Sequence, residues 1–259
     1  MNEGKRLEKS VELDATVDEV WEAVSTGQGM ATWFVPHQVE TDEQGVPVGA
    51  EADFGSGNTD SGRVLAWEPK HRVRYAGHQP GSSEVLEFIV EGRDQGSTVL
   101  RLIQSGVQGE DWEMEYHSYG WDLFFHNLQT YLKYFRGQSV TNALVMGFTT
   151  VDATTVWDRY HSALGTDRSL AAGDPVELAP NGVEPIKGVV DIHHADGIFG
   201  IRTDTGLYRF GGAGADAWGM VNAFHYSYGT DVDTEEWTRR WQEWLNVLFP
   251  PEEAPSPAG

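Results

Sequence analysis

Residues 110–138, EDWEMEYHSYGWDLFFHNLQTYLKYFRGQ, constrain this chain most. Trp121, Phe124, Phe125, Leu128, Tyr131, Leu132 and Phe135 recur at three- and four-residue steps, the period of one helical face. Asp111, Glu113 and Glu115 stand near the start of the stretch. Lys133 and Arg136 stand near its end, and Gly137 follows. That charge order suits the helix dipole, and the glycine supplies a stop. A helix this apolar and aromatic requires a broad surface to lie on.

The preceding segments supply one. Arg6 to Asp14 alternates as a strand, with Leu7, Val11 and Leu13 on one side. VDEVWEAVS follows as a short helix, with Thr16 and Glu19 spaced as a capping box. MATWF adds a helical turn ended by Pro36. From His37 the pattern becomes short strands: HQVET, AEADFG, GRVLAWE, RVRYAG, EVLEFIVEG and STVLRLIQS. Glycine, proline and Asp-Gln-Gly breaks fall about every ten residues, as in an antiparallel meander. The expected product is a curved sheet wrapped around the long helix.

ELDATVDEVWEAVS, TWFVP, GRVLAWEPKHRVRY and the Gly120-Trp121 pair, in that order, resemble the SRPBCC (START/Bet v 1-like) superfamily. The most similar branch is AHSA1-like, named for the activator of Hsp90 ATPase, and the resemblance covers about residues 6–137. It implies an α+β helix-grip fold with a cavity between sheet and long helix. In this superfamily such cavities hold lipids, sterols, polyketides or other apolar molecules.

The second half repeats the first. LDATVDEVW ends at Trp21 and TTVDATTVW ends at Trp157, 136 residues on. Near the C-terminus Trp237, Trp241, Trp244, Leu245 and Leu248 reproduce the spacing of Phe124, Leu128, Tyr131, Leu132 and Phe135, 113 residues on. The second copy is therefore about 23 residues shorter, and TWFVP has no counterpart in it. Its strands read as PVEL, IKGVVDIHH, GIFGIRT, GLYRF and MVNAFHYSY, and its long helix as Asp233 to Phe249. The expected organisation is tandem helix-grip domains: 1–138 AHSA1-like, 139–249 a shortened, diverged SRPBCC-like copy, and a Pro-rich disordered tail over 250–259.

Composition narrows the function classes. Forty acidic residues against 18 basic ones give a net charge of −22. Such a surface repels phosphate backbones and anionic headgroups, so neither nucleic acid nor membrane is an expected partner. No apolar run approaches the roughly 20 residues of a membrane span. MNEGKRLEKS lacks the apolar core of a signal peptide, and a cytoplasmic location is the default expectation. The absence of cysteine removes disulfides, thiolate metal sites and a cysteine nucleophile.

Candidate chemistry is sparse. Trp33, Trp67, Tyr75, Phe88, Trp112, Tyr116, Trp121 and Phe124 are the expected ligand-binding walls, with His37, Tyr75, His117 and Tyr119 as the candidate polar groups. In the second copy Ile201, Phe210, Phe224, Trp237 and Trp241 would play the wall role. Glu113, His117 and Trp121 share a helical face, which makes His117 the one candidate acid or base. Asp122 and His126 form an i,i+4 pair without a nucleophile elbow. Asp191 and His193 offer two ligands at most, because His194 points to the other strand face, and no metal is expected. Gly212 to Ala217 matches a dinucleotide fingerprint, but the strand-like WGMVNAFHYSY behind it makes it a hairpin loop, and no cofactor is expected. Three readings follow. The first is a non-enzymatic binder of a small hydrophobic or aromatic molecule. The second is a polyketide cyclase/dehydratase-like enzyme. The third is a co-chaperone or interaction module with a chaperone partner, by analogy with the branch's namesake.

Overall fold

The computed structural model describes residues 4–77, 84–93, 96–107, 111–194, 197–215 and 217–251; within these, the side chains of 111–113, 115 and 116 are excepted. The Pro-rich tail beyond 251 and Asp196 lie outside them. The chain divides into two compact units, Met1–Ser139 and Val140–Gly259.

In the first unit β1 (Lys5–Leu13) leads into α1 (Val17–Ser25) and α2 (Gly27–Ala31). Then come β2 (His37–Thr41), β3 (Pro47–Asp53), β4 (Thr59–Glu68), β5 (Arg72–Gly77), β6 (Val85–Gly92), β7 (Thr98–Val107) and α3 (Asp111–Tyr134). The strands form one antiparallel sheet in the order β1-β7-β6-β5-β4-β3-β2. The Thr16 capping box is present: Thr16 N–H donates to Glu19 Oε2 at 2.8 Å, and Glu19 N–H donates to Thr16 Oγ1 at 3.3 Å. Gly137 ends the long helix region with φ of 75°, a conformation that costs glycine nothing. Gly27 lets α2 approach β2 closely: a Cβ there would stand 2.3 Å from the carbonyl oxygen of His37.

The second unit repeats this winding with less chain. It comprises β8 (Val140–Phe148), α4 (Ala153–Leu164), β9 (Pro175–Leu178), β10 (Ile186–His194), β11 (Ile198–Arg202), β12 (Gly206–Gly212), β13 (Met220–Tyr228) and α5 (Thr234–Leu248). Its sheet runs β8-β13-β12-β11-β10-β9, all antiparallel. In both units the first strand pairs with the last, and the rest follow in descending order. One helix stands where the first unit has two, and one strand fewer follows. The missing TWFVP and the missing strand account for the shorter copy. The Gly212 motif is a hairpin loop between β12 and β13, as the strand behind it requires. Among the described residues no helix is long and apolar enough to cross a membrane.

Candidate functional site

Strand register shows which side chains in the first unit face α3. Residues paired directly across an antiparallel ladder share a face. One row is Leu7, Gln104, Leu86, Tyr75 and Val64; the next is Lys9, Leu102, Phe88 and Val73. The far strands add Gly62, Ala50, Ala52, Val39 and His37 to the same face. Contacts from α3 confirm the side. Trp121 Nε1 donates to Gln104 Oε1 at 3.0 Å, and Asp122 accepts from Lys9 Nζ at 2.5 Å. Asp122 is thus an anchor of α3 to β1, rather than a partner set aside for His126.

Much of this space is filled. Trp33, 0% exposed, packs against Phe88 and Phe125, and its Nε1–H donates to the Ala23 carbonyl at 2.8 Å. Phe34 stacks on Trp121 with centroids 5.3 Å apart and meets Phe124 edge-on at 4.6 Å. Phe88 lies edge-on to Trp121 at 6.1 Å. Trp33 and Phe88 were expected as cavity walls; each is a wholly buried member of the aromatic core. Trp67 shares the inner face through its pairing with Val73, but it packs on Trp21 of α1 at 5.1 Å. It is not gathered with the other candidates. Trp112 and Tyr116 lie on α3, and their side chains fall outside the described residues. His117 is half-buried on α3, while Tyr119 is 56% exposed and so no lining group.

The β2–β5 corner differs. Here the inner face is built from small residues, Ala50, Ala52 and Gly62, next to His37 and Tyr75. The His37 and Tyr75 rings meet at 6.3 Å, Phe34 lies 6.2 Å from His37, and Phe54 closes on Phe34 at 5.7 Å. His37 Nδ1 and the Tyr75 hydroxyl are both buried, and neither has a hydrogen-bond partner among the described residues. Burial drives the His37 pKa down to about 4 and pushes the Tyr75 phenol upward, so both groups are neutral at pH 7. His37 also borders a groove of about 340 Å³ between α2, the start of β2 and the end of β3, where Glu51 and Asp53 line it. Phe34, Phe54 and the three small residues were missed in the sequence. Phe34 lies within TWFVP, but small residues carry no signal that marks a space.

In the second unit the face of β12 and β13 that meets α5 is packed by aromatics. Tyr208, Phe210, Trp241 and Trp237 surround His225, with the Trp241 ring 4.1 Å away. His225 is 0% exposed, and burial lowers its pKa to about 3. Phe224 does not join this wall. It pairs with Arg209 on the opposite sheet face, because side chains alternate along β13. Asp191 is held bidentately by Arg209, at 2.9 and 2.7 Å, and the His193 imidazole Nδ1–H donates to the Leu170 carbonyl at 2.6 Å. Asp191 is therefore the counter-ion of a buried guanidinium.

Residues 14–133 match the family model described as "Activator of Hsp90 ATPase homolog 1-like protein". A search among curated proteins finds no match. Among solved structures, the chain is similar to the di-domain ARO/CYC BexL from the BE-7585A biosynthetic pathway, at 13% identity over 94% of each chain and a TM-score of 0.45. It is similar to DynU16 of the dynemicin biosynthetic locus, at 18% identity over 94% of this chain and 95% of that one, with a TM-score of 0.44. Half of it is similar to Aha1 from Colwellia psychrerythraea, at 20% identity over 49% of this chain and 96% of that one, with a TM-score of 0.41. Likenesses at this level say nothing of ligand or activity.

Proposed function

With residues 14–133 forming an AHSA1-like domain of the SRPBCC superfamily, we propose that the first unit binds a small hydrophobic or aromatic molecule at the His37–Tyr75 corner, between the sheet and α3. One observation carries the reading: two buried polar atoms on one apolar face, Nδ1 of His37 and the hydroxyl of Tyr75, lack a hydrogen-bond partner among the described residues. A buried polar group without a partner costs about 1–3 kcal/mol, so its persistence calls for a role that pays it back. The neighbouring Ala50, Ala52 and Gly62 keep bulk away from the pair. Aromatic rings on the other side, Phe34, Phe54 and Phe124, supply an apolar wall.

Tyr75→Phe tests the reading. It removes one oxygen and leaves the ring's packing intact. In the ligand-free protein the variant should be more stable by about 1 kcal/mol, measured by urea unfolding, because an unsatisfied buried hydroxyl is gone. The same variant should retain less of any small molecule that co-purifies from the native host, measured by native mass spectrometry. A clear loss of stability would instead give the hydroxyl a structural role and count against the site.

A cyclase- or dehydratase-like activity is the second reading. The observation favouring it is the same neutral His37, which could take a proton beside a Tyr75 donor. On that reading His37, rather than His117, is the acid–base group. The chaperone-partner reading rests on the family relation alone.

A further inference from the structure

The polar pair also restricts what its ligand can be, an inference that rests on the binding site proposed above. We propose that the site selects an uncharged aromatic molecule carrying a hydroxyl beside its ring, and that it rejects the corresponding carboxylate.

The argument begins with the groups that face the corner. The inner faces of β2 to β5 present alanine, glycine, valine and aromatic side chains around His37 and Tyr75. The carboxylates nearest in sequence, Glu51 and Asp53, alternate with Ala50 and Ala52 and so project from the opposite face. Asp60 pairs with Ala52 but is exposed at the start of β4. Along the same face, among the described residues, Lys9 of β1 pairs with Asp122 of α3 at 2.5 Å, and the two charges neutralise each other. His117 on α3 is half-buried. No cation among these groups is left to offset a bound anion. Moving an unpaired carboxylate into such a place costs several kcal/mol.

Hydrogen-bond inventory then specifies the polar part of the ligand. The Tyr75 hydroxyl donates once and accepts, and a neutral imidazole Nδ1 does one or the other by tautomer. A ligand hydroxyl is complementary to both, because it also donates and accepts. A bare hydrocarbon would fill the apolar wall but leave both groups unsatisfied. The discrimination is of the kind in which buried polar groups reject an analogue that lacks their partner.

Three probes of one shape separate the terms: naphthalene, 2-naphthol and 2-naphthoate. Each is titrated at pH 7 into the full-length protein, followed by tryptophan and probe fluorescence. We expect 2-naphthol to bind on the order of tenfold more tightly than naphthalene. 2-Naphthoate should bind on the order of a hundredfold more weakly than 2-naphthol. In Tyr75→Phe the advantage of 2-naphthol over naphthalene should shrink severalfold while naphthalene binding holds. His37→Leu should show the same loss and guards against a tyrosine-specific packing effect. Equal binding of naphthalene and 2-naphthol, or binding of 2-naphthoate as tight as 2-naphthol, would overturn the selectivity and leave the binding site standing. Failure of all three probes to saturate the protein would overturn the binding site itself.

Discussion

Asp191→Ala is expected to destabilise the second unit by about 3–5 kcal/mol, the usual cost of stripping the partner from a buried charge. The Arg209 guanidinium is 1% exposed and has been built a place. Its Nη1 and Nη2 reach the two Asp191 oxygens at 2.9 and 2.7 Å, and Nη1 also donates to the Ile201 carbonyl at 3.3 Å. Gly200 on β11 makes the room: a Cβ there would stand 2.7 Å from Nη1 and 3.2 Å from Cδ of Arg209. Removing the carboxylate leaves a cation that cannot reach water and, having a guanidinium, cannot shed its proton. The double variant Arg209→Met with Asp191→Leu should recover most of the loss, since a well-packed apolar pair replaces a buried ion pair at little cost. Urea unfolding with hydrogen exchange read on β10 to β12 peptides distinguishes the outcomes. A single variant with an unchanged midpoint would mean that the guanidinium is satisfied without Asp191.

This pair shows where sequence reading reaches and where it ends. The strands, the long helices, the capping box and the tandem repeat are local signals, and each could be read from periodicity or spacing. Asp191 stands beside two histidines in sequence, which invites a metal, while its partner is 18 residues away across two strands. Pairing across strands is set by register, which no local pattern carries. β13 shows the same limit. MVNAFHYSY is apolar or aromatic at nearly every position, and its residues from Ala223 to Tyr228 are buried on both faces. Alternation, the one signal that would have placed Phe224 opposite His225, is therefore invisible there. In the first unit His37 and Tyr75 stood among the polar candidates by residue type alone, and it is the strand register that puts them on one face. Ala50, Ala52 and Gly62 beside them went unmarked, since small residues carry no signal of the face they line. Trp67 has the correct parity yet packs at the α1 end, because parity fixes a face but not a position along it.

Mild acid should weaken both units, and two histidines set the window. In the folded protein burial holds His225 at about 3 and His37 at about 4, against 6.5 for an exposed imidazole. Below pH 6.5 the unfolded chain therefore binds protons that the folded chain refuses, and stability falls as pH falls. Each group contributes its full share above pH 6.5 and loses about 1.4 kcal/mol per pH unit below it. The loss from His37 ends near pH 4, where its folded form also protonates, and that from His225 near pH 3. Unfolding midpoints in urea at pH 7, 6 and 5, with hydrogen exchange read separately on β5 and β13, should show this slope in each unit. His225→Phe should flatten the slope on β13 and leave that on β5. An unchanged slope on β13 would assign the acid response to other groups. A bound ligand adds a sharper check. A hydroxyl that donates to Nδ1 of His37 requires the lone pair that a proton would occupy, so ligand and proton compete for one atom. Saturating 2-naphthol should then carry the acid loss on β5 further down, below the pH of about 4 at which free His37 would protonate, while leaving β13 as it was, which separates a site at His37 from a histidine that is merely buried.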